Sequence, residues 1–190
     1  VAVNPADGAC WVADTGAGRI VKIAPDASRV IFSAAGFSNP TRVFPYAGDN
    51  SLWLETDAQS ITGATPYAIK TNSGGAELRR QYAQGILCLN RLDGSLLVHA
   101  EGKKTVIRYN SEGQEIFRAG GFGQVQSAFA DPVTGCFWIL DLQKSEVVKL
   151  SPGGATLLNV GGFSNKLQAG TVDPGETAGF PRPLVQASAS

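Results

Sequence analysis

Histidine occurs once in this 190-residue chain, cysteine three times and methionine not at all. A zinc centre usually needs three or four nitrogen or sulfur ligands, so one His and three scattered Cys leave little for one. Charge of one sign is also missing. Sixteen Lys and Arg balance sixteen Asp and Glu, and charged residues make up only 17% of the chain. Nucleic-acid and anionic-membrane binders need a basic face, and the neutral balance argues against both. No apolar run approaches the ~20 residues that cross a bilayer, so no membrane span is expected. A signal-peptide pattern is absent as well. The opening Val1-Ala2-Val3-Asn4-Pro5 has no initiator Met and reads as a processed or truncated start. Cys10, Cys88 and Cys136 are odd in number and share no CxxC spacing. One disulfide with a free thiol, or three packed thiols, both remain open.

Glycine is what the chain has in quantity. It has 23 Gly and 10 Pro beside 43% apolar residues, a composition suited to many short strands and tight turns around a real core. The length suits one domain, at most two.

Self-similarity organises the rest. Asn4-Pro5-Ala6-Asp7-Gly8-Ala9-Cys10-Trp11-Val12-Ala13-Asp14 aligns with Asp131-Pro132-Val133-Thr134-Gly135-Cys136-Phe137-Trp138-Ile139-Leu140-Asp141 at one constant offset. The match continues through Ile20-Val21-Lys22-Ile23-Ala24-Pro25 and Val147-Val148-Lys149-Leu150-Ser151-Pro152. One residue is then dropped before Gly36-Phe37-Ser38-Asn39 meets Gly162-Phe163-Ser164-Asn165. Fainter copies run through Leu52-Trp53-Leu54 and Leu96-Leu97-Val98. Trp11, Trp53, Leu97 and Trp138 thus mark one position, 42, 44 and 41 residues apart. A Lys or Arg follows 11 residues later in three copies and 17 later in the second. A period in the low forties is that of a propeller blade.

Each copy divides into four short apolar runs, the pattern of an antiparallel meander. The expected strands are 1–3, 10–13, 19–23 and 29–33 in the first copy, and 86–89, 96–100, 105–109 and 115–118 in the third. Residues 76–83 look helical locally, but the repeat makes them a fourth strand. The fold class expected is therefore all-β: a β-propeller of four-stranded antiparallel blades, about four in this chain, at 1–40, 41–85, 86–125 and 126–168. Residues 169–190 are either the start of a fifth blade, since Thr171-Val172-Asp173-Pro174 repeats Phe129-Ala130-Asp131-Pro132, or an irregular Pro-, Ala- and Ser-rich tail. A closed four-bladed disc, a fragment of a larger propeller and a protomer completed by another chain all remain open.

The segment Asp7-Gly8-Ala9-Cys10-Trp11-Val12-Ala13-Asp14, continued by Arg19-Ile20-Val21-Lys22-Ile23, resembles an NHL repeat. The likeness is strong in the first copy, moderate in the fourth and faint in the two between. It departs at Ala17-Gly18, where that family often has Asn-His, so any role of that His is absent. The resemblance implies a propeller that usually has six blades, sometimes five. It also implies, for the related lactonases, a metal held by carboxylates and Asn near the channel and, for the amidating lyases, a His-held metal. Taken with the low charge and the opening residues, it leads to an expected extracellular or periplasmic location.

Strand alternation sorts the loops onto two faces. Segments 14–19, 55–66, 101–105 and 141–146, with 36–42, 121–127 and 162–168, share the longer and more charged one, where a rigid scaffold usually carries function. Binding-face candidates are Asp14, Arg19, Arg42, Asp57, Lys103, Lys104, Asp141 and Lys144. Asp14 with Arg19 reads equally as a loop brace, and Lys103-Lys104 as a solvated pair. Calcium is the cofactor considered, through Asp49, Glu55 and Asp57, although no loop places an oxygen ligand at every second residue. The three Trp could stack on a sugar, but their repeat position makes them packing between neighbouring blades. His99 takes the place of Ala13 inside a strand, and no Gly-x-Ser-x-Gly elbow accompanies it.

The sequence thus favours a non-catalytic module that binds a protein, further copies of a propeller chain or another ligand through its loop-rich face. A metal-dependent propeller enzyme and a structural subunit of a larger assembly are the alternatives.

Overall fold

A computed structural model describes residues 1–56 and 66–163. Sixteen strands fall into four sheets, each a four-stranded antiparallel meander. Blade 1 holds β1 (Ala2–Val3), β2 (Cys10–Asp14), β3 (Arg19–Ile23) and β4 (Val30–Ala35). Blade 2 holds β5 (Pro40–Tyr46), β6 (Ser51–Thr56), β7 (Tyr67–Thr71) and β8 (Glu77–Tyr82). Blade 3 holds β9 (Ile86–Leu89), β10 (Leu96–Ala100), β11 (Thr105–Tyr109) and β12 (Glu115–Ala119). Blade 4 holds β13 (Val125–Ala130), β14 (Phe137–Asp141), β15 (Glu146–Leu150) and β16 (Thr156–Val160). The segment that looks helical locally is strand β8. Tertiary pairing with β7 overrides propensity there, as the repeat requires. The first two strands of blade 1 and its last differ from expectation by one or two residues at their ends. The insertion in blade 2, residues 164–168 and the fifth-blade start near Thr171 lie outside the described residues.

Turn chemistry sets the hairpins. In blade 4 the Asp131 carboxylate accepts from the backbone N–H of Val133 and Thr134, and Gly135 follows at φ 70. Asn90 repeats the device in blade 3, its side-chain oxygen accepting from Leu92 N–H before Gly94 at φ 73. An Asx side chain that bonds the backbone two residues on, then a glycine with positive φ, reverses the chain at little steric cost.

Three apolar clusters hold consecutive blades together. Trp11, Ile20 and Phe37 pack on Val43, Leu52, Leu54 and Ile69. Trp53 and Ala68 pack on Ile86, Leu96, Val98 and Ile107. Leu97, Val106 and Phe117 pack on Val125, Phe137, Ile139 and Val148. Both faces of blades 2 and 3 are therefore buried, and each fully buried large side chain contributes about 2–3 kcal/mol. Among the described residues no such cluster joins blade 4 to blade 1, so the four described blades form an arc.

The tryptophans are accordingly not alike. Trp11 and Trp53 are buried between blades, while Trp138 is only half-buried because the described residues put no further blade against it. The repeated cation lies directly opposite each of these positions: Trp11 pairs with Lys22, Trp53 with Lys70, Leu97 with Arg108 and Trp138 with Lys149. The 17-residue spacing in blade 2 lengthens the connection and leaves this register intact. All three cysteines are free.

Candidate functional site

First strands of successive blades approach one another, β1 beside β5 and β9 beside β13, which puts them on the inner edge of the arc. At the loop-rich end of that edge lies a cavity of about 310 Å³, lined by Arg42, Glu55, Gln84, Gly85, Ile86, Leu87, His99, Lys103, Gln126 and Ser127. Arg42, Leu87 and Ser127 come from the first strands of blades 2, 3 and 4. Glu55 and His99 come from the ends of second strands, and Gln84 from the link between blades 2 and 3.

Glu55 is the organiser. Its carboxylate accepts from the backbone N–H of Ile86 at 2.5 Å and from the Thr41 hydroxyl at 3.2 Å, and the Arg42 guanidinium lies 3.7 Å away. Arg42 itself donates to the Ile86 carbonyl at 2.8 Å and stacks over Phe44 at 4.8 Å. These bonds fix a charged side chain that remains half-exposed to the cavity.

His99 is buried, and its Nδ1 has no hydrogen-bond partner. Its backbone N–H donates to the Gly85 carbonyl at 2.8 Å, which ties the strand to the interblade link. Burial, with Lys103 and Arg42 adding like charge, pushes the imidazole down to about 4, so it is neutral at pH 7. Lys103 reaches this cavity from a 3-10 turn (Glu101–Lys103) in which Glu101, Gly102 and Lys103 all have positive φ, at 51°, 66° and 69°. Non-glycine residues in that region cost of order 1 kcal/mol each. Glu101 is held in place by the Thr105 hydroxyl at 2.7 Å and by Arg118 at 3.0 Å.

Of the sequence candidates, Arg42 and Lys103 come together in this cavity. Asp14 and Arg19 face each other across β2 and β3 with Nε 2.7 Å from the carboxylate, an exposed pair that braces its own loop. Asp141 is fully buried. It accepts from the backbone N–H of Gly123, Gln124 and Lys144 at 2.7, 2.9 and 3.2 Å. Burial alone would push this carboxyl up, but those three bonds outweigh it and hold the group below the ordinary aspartate range. Lys144 Nζ donates to the Gly121 carbonyl at 2.6 Å, so this pair closes a loop. Lys104 is exposed, and its carbonyl accepts from Phe122 N–H at 3.2 Å. Asp57 lies outside the described residues. Asp49 and Glu55 do not converge, because they flank opposite ends of β6 and Asp49 is paired with Lys70 at 2.8 Å.

Sequence reasoning placed Glu55 with calcium rather than with Arg42 and did not single out Gln84, Gln126 or Ser127. Only their positions at strand ends on the inner edge could have pointed to them.

No family model matches this chain, and no curated protein matches it. Solved structures do. Over 84% of this chain, streptogramin B lyase superposes with a TM-score of 0.61 at 11% identity, and 53% of that protein is covered. The structure of BBS1N in complex with ARL6DN superposes over 83% of this chain with a TM-score of 0.62 at 13% identity, covering 52% of the matched chain. The nidogen/laminin complex does so over 80% with a TM-score of 0.56 at 13% identity, covering 59%. This chain spans a little over half the length of each. At such identities the likeness speaks for the fold alone, and together with the four radial meanders it makes this chain a β-propeller arc.

Proposed function

We propose that this chain is a non-catalytic binding module that takes an anionic group of a protein partner or ligand at the inner edge of its loop-rich face. The observation that carries the reading is the cavity in which Arg42 and Lys103 outnumber the single carboxylate of Glu55, with amide and hydroxyl groups from Gln84, Gln126 and Ser127 beside them. Concave sites with a few convergent polar groups are where propeller and other rigid scaffolds take ligands. An arginine already held by its own backbone contact loses little freedom on meeting a carboxylate or phosphate. His99, at about 4, is a poor general base at neutral pH, which favours binding over acid–base catalysis. Two solved structures of this fold are complexes, of nidogen with laminin and of BBS1N with ARL6DN. They support a protein partner for this chain.

The test is an amide NMR titration with inorganic phosphate and, separately, with a triglutamate peptide at fixed ionic strength. Saturable shifts are expected at Gly85, Ile86 and His99, and are expected to vanish in the Arg42→Ala/Lys103→Ala double variant. Shifts spread over the whole surface, or none in the millimolar range, would overturn the reading. A response to the peptide alone places the ligand on a protein.

A further inference from the structure

Among the residues lining the cavity, His99 is the only buried ionisable one, at 7% exposed, and no described residue bonds its Nδ1. Buried polar atoms are nearly always satisfied, so an orphaned ring nitrogen beside a cavity marks a place for a bound group. A Cβ on Gly85 would stand 3.3 Å from the imidazole Cδ2 and 3.7 Å from Glu55 Oε2, and the bare glycine leaves that gap between ring and carboxylate open. Gln84 fixes another side. Its side-chain oxygen accepts from the Gly102 N–H at 2.8 Å and ties the left-handed turn that carries Lys103 to the link between blades 2 and 3.

Charge around the ring is lopsided. Arg42 from β5 and Lys103 from the turn after β10 are cations, and Glu55 at the end of β6 is the one carboxylate of the lining. That carboxylate is already committed to the Ile86 N–H, the Thr41 hydroxyl and Arg42. The interblade link and β13 contribute Gln84, Gln126 and Ser127, which carry no charge. Opposite His99 on β11 stands Val106, and the Cys88 thiol of β9, pushed up to about 12 by burial, stays protonated. Glu101 is taken up by Thr105 and Arg118. Burial and, after it, the like charges of Lys103 and Arg42 keep a proton off the ring until about pH 4.

An anion in the cavity reverses this balance. It supplies the counter-charge that the surroundings deny the ring, and an imidazolium with an anion in reach makes a charge-assisted hydrogen bond. We infer, resting on the binding role proposed above for this cavity, that the anion enters together with a proton: His99 is neutral without it and joins Arg42 and Lys103 as the third cation that holds it. On binding in mild acid the proton passes from solvent to a ring nitrogen of His99, and it leaves with the anion. Proton and anion favour each other by the same factor, so mild acid tightens the site and neutral pH loosens it.

Sulfate tests the coupling, because it keeps both its charges across the range in which phosphate titrates. His99 is the single histidine of the chain, so its imidazole Cε1–H resonance reads the ring's titration without overlap. The midpoint is expected near 4 in chloride. In saturating sulfate at matched ionic strength it is expected higher by about two pH units. Sulfate affinity, read from the Gly85 and Ile86 amides, is expected to rise about tenfold from about pH 7 to about pH 5. His99→Gln loses this rise and keeps whatever Glu55 contributes on acidification. In the Arg42→Ala/Lys103→Ala variant the imidazole midpoint no longer responds to sulfate. Saturable sulfate binding with an unmoved imidazole midpoint, or a full rise retained in H99Q, overturns the inference and leaves the binding reading standing. No saturable binding at either pH overturns both. Where H99Q loses its strand signal in far-UV circular dichroism, the imidazole titration of the wild-type chain decides.

Discussion

Lys70 is bound to its own blade and to the next one at once: its Nζ lies 2.8 Å from the Asp49 carboxylate and donates to the Ser111 carbonyl of blade 3 at 3.1 Å. The side chain is buried, so both bonds form where water competes poorly. Lys70→Met keeps most of the apolar stem but leaves the Ser111 carbonyl without its partner. The expected cost is about 1–3 kcal/mol, read as a lower urea midpoint with the slope unchanged. Arg19→Met removes a pair that is equally short but exposed, and is expected to cost under about 1 kcal/mol. Equal losses in the two variants would refute the distinction.

Gly154 is required by its neighbour as well as by its backbone. Its φ is 89°, and a Cβ there would stand 2.6 Å from Phe117 Cγ in the preceding blade. Gly154→Ala is therefore expected to destabilise by about 2–4 kcal/mol, the sum of left-handed strain and a displaced core aromatic. Gly16 has open space around its Cβ position. Gly16→Ala should change the thermal midpoint by a degree or two at most, and a large loss there would count against this account of the loop.

Acid should weaken the fold through His99 before it reaches the carboxylates. The native imidazole titrates near 4 against 6.5 in the unfolded chain, so between those values the unfolded state binds the extra proton. Stability is complete above about pH 6.5 and falls as pH drops toward about 4, by about 2–3 kcal/mol in all. His99→Gln should flatten that limb of the pH profile of the melting temperature. An unchanged slope between wild type and variant would show that the imidazole is not buried neutral.

Asp141 carries no exposed surface and accepts from three backbone donors of its own loop. Asp141→Ala is expected to cost about 2–3 kcal/mol. The loss should concentrate locally: amide exchange at Gly123, Gln124 and Lys144 accelerates well before that of β9 or β10. Because the native carboxyl is held below its ordinary value, this contribution is present above about pH 4 and is lost on further acidification.

Much of this architecture was legible because a repeat protein writes the same instruction several times. The recurrence of Trp11, Trp53, Leu97 and Trp138, each with a cation to follow, placed the blades even where residues 76–83 looked helical. Pairing then put every cation opposite its partner, including Lys70 beyond the longer blade 2 connection. The cavity was only half legible. Arg42 and Lys103 stood out as charges in loops, whereas Gln84, Gln126 and Ser127 are ordinary polar residues made neighbours by the approach of three separate first strands. Asp141 and Lys144 looked like a rim for a partner, and their bonds turn inward to the backbone of their own loop.

The amino-acid sequence by itself determined the blade: strand period, turn glycines and the wedge at one register position are local features, repeated every forty-odd residues. Tertiary structure alone decided what each copy of that wedge does. Trp11 and Trp53 are sealed because a following blade covers them, while Trp138, in the same local sequence, is half-buried with no further blade against it among the described residues. Burial is a property of what lies opposite a residue, and no single repeat encodes its neighbour.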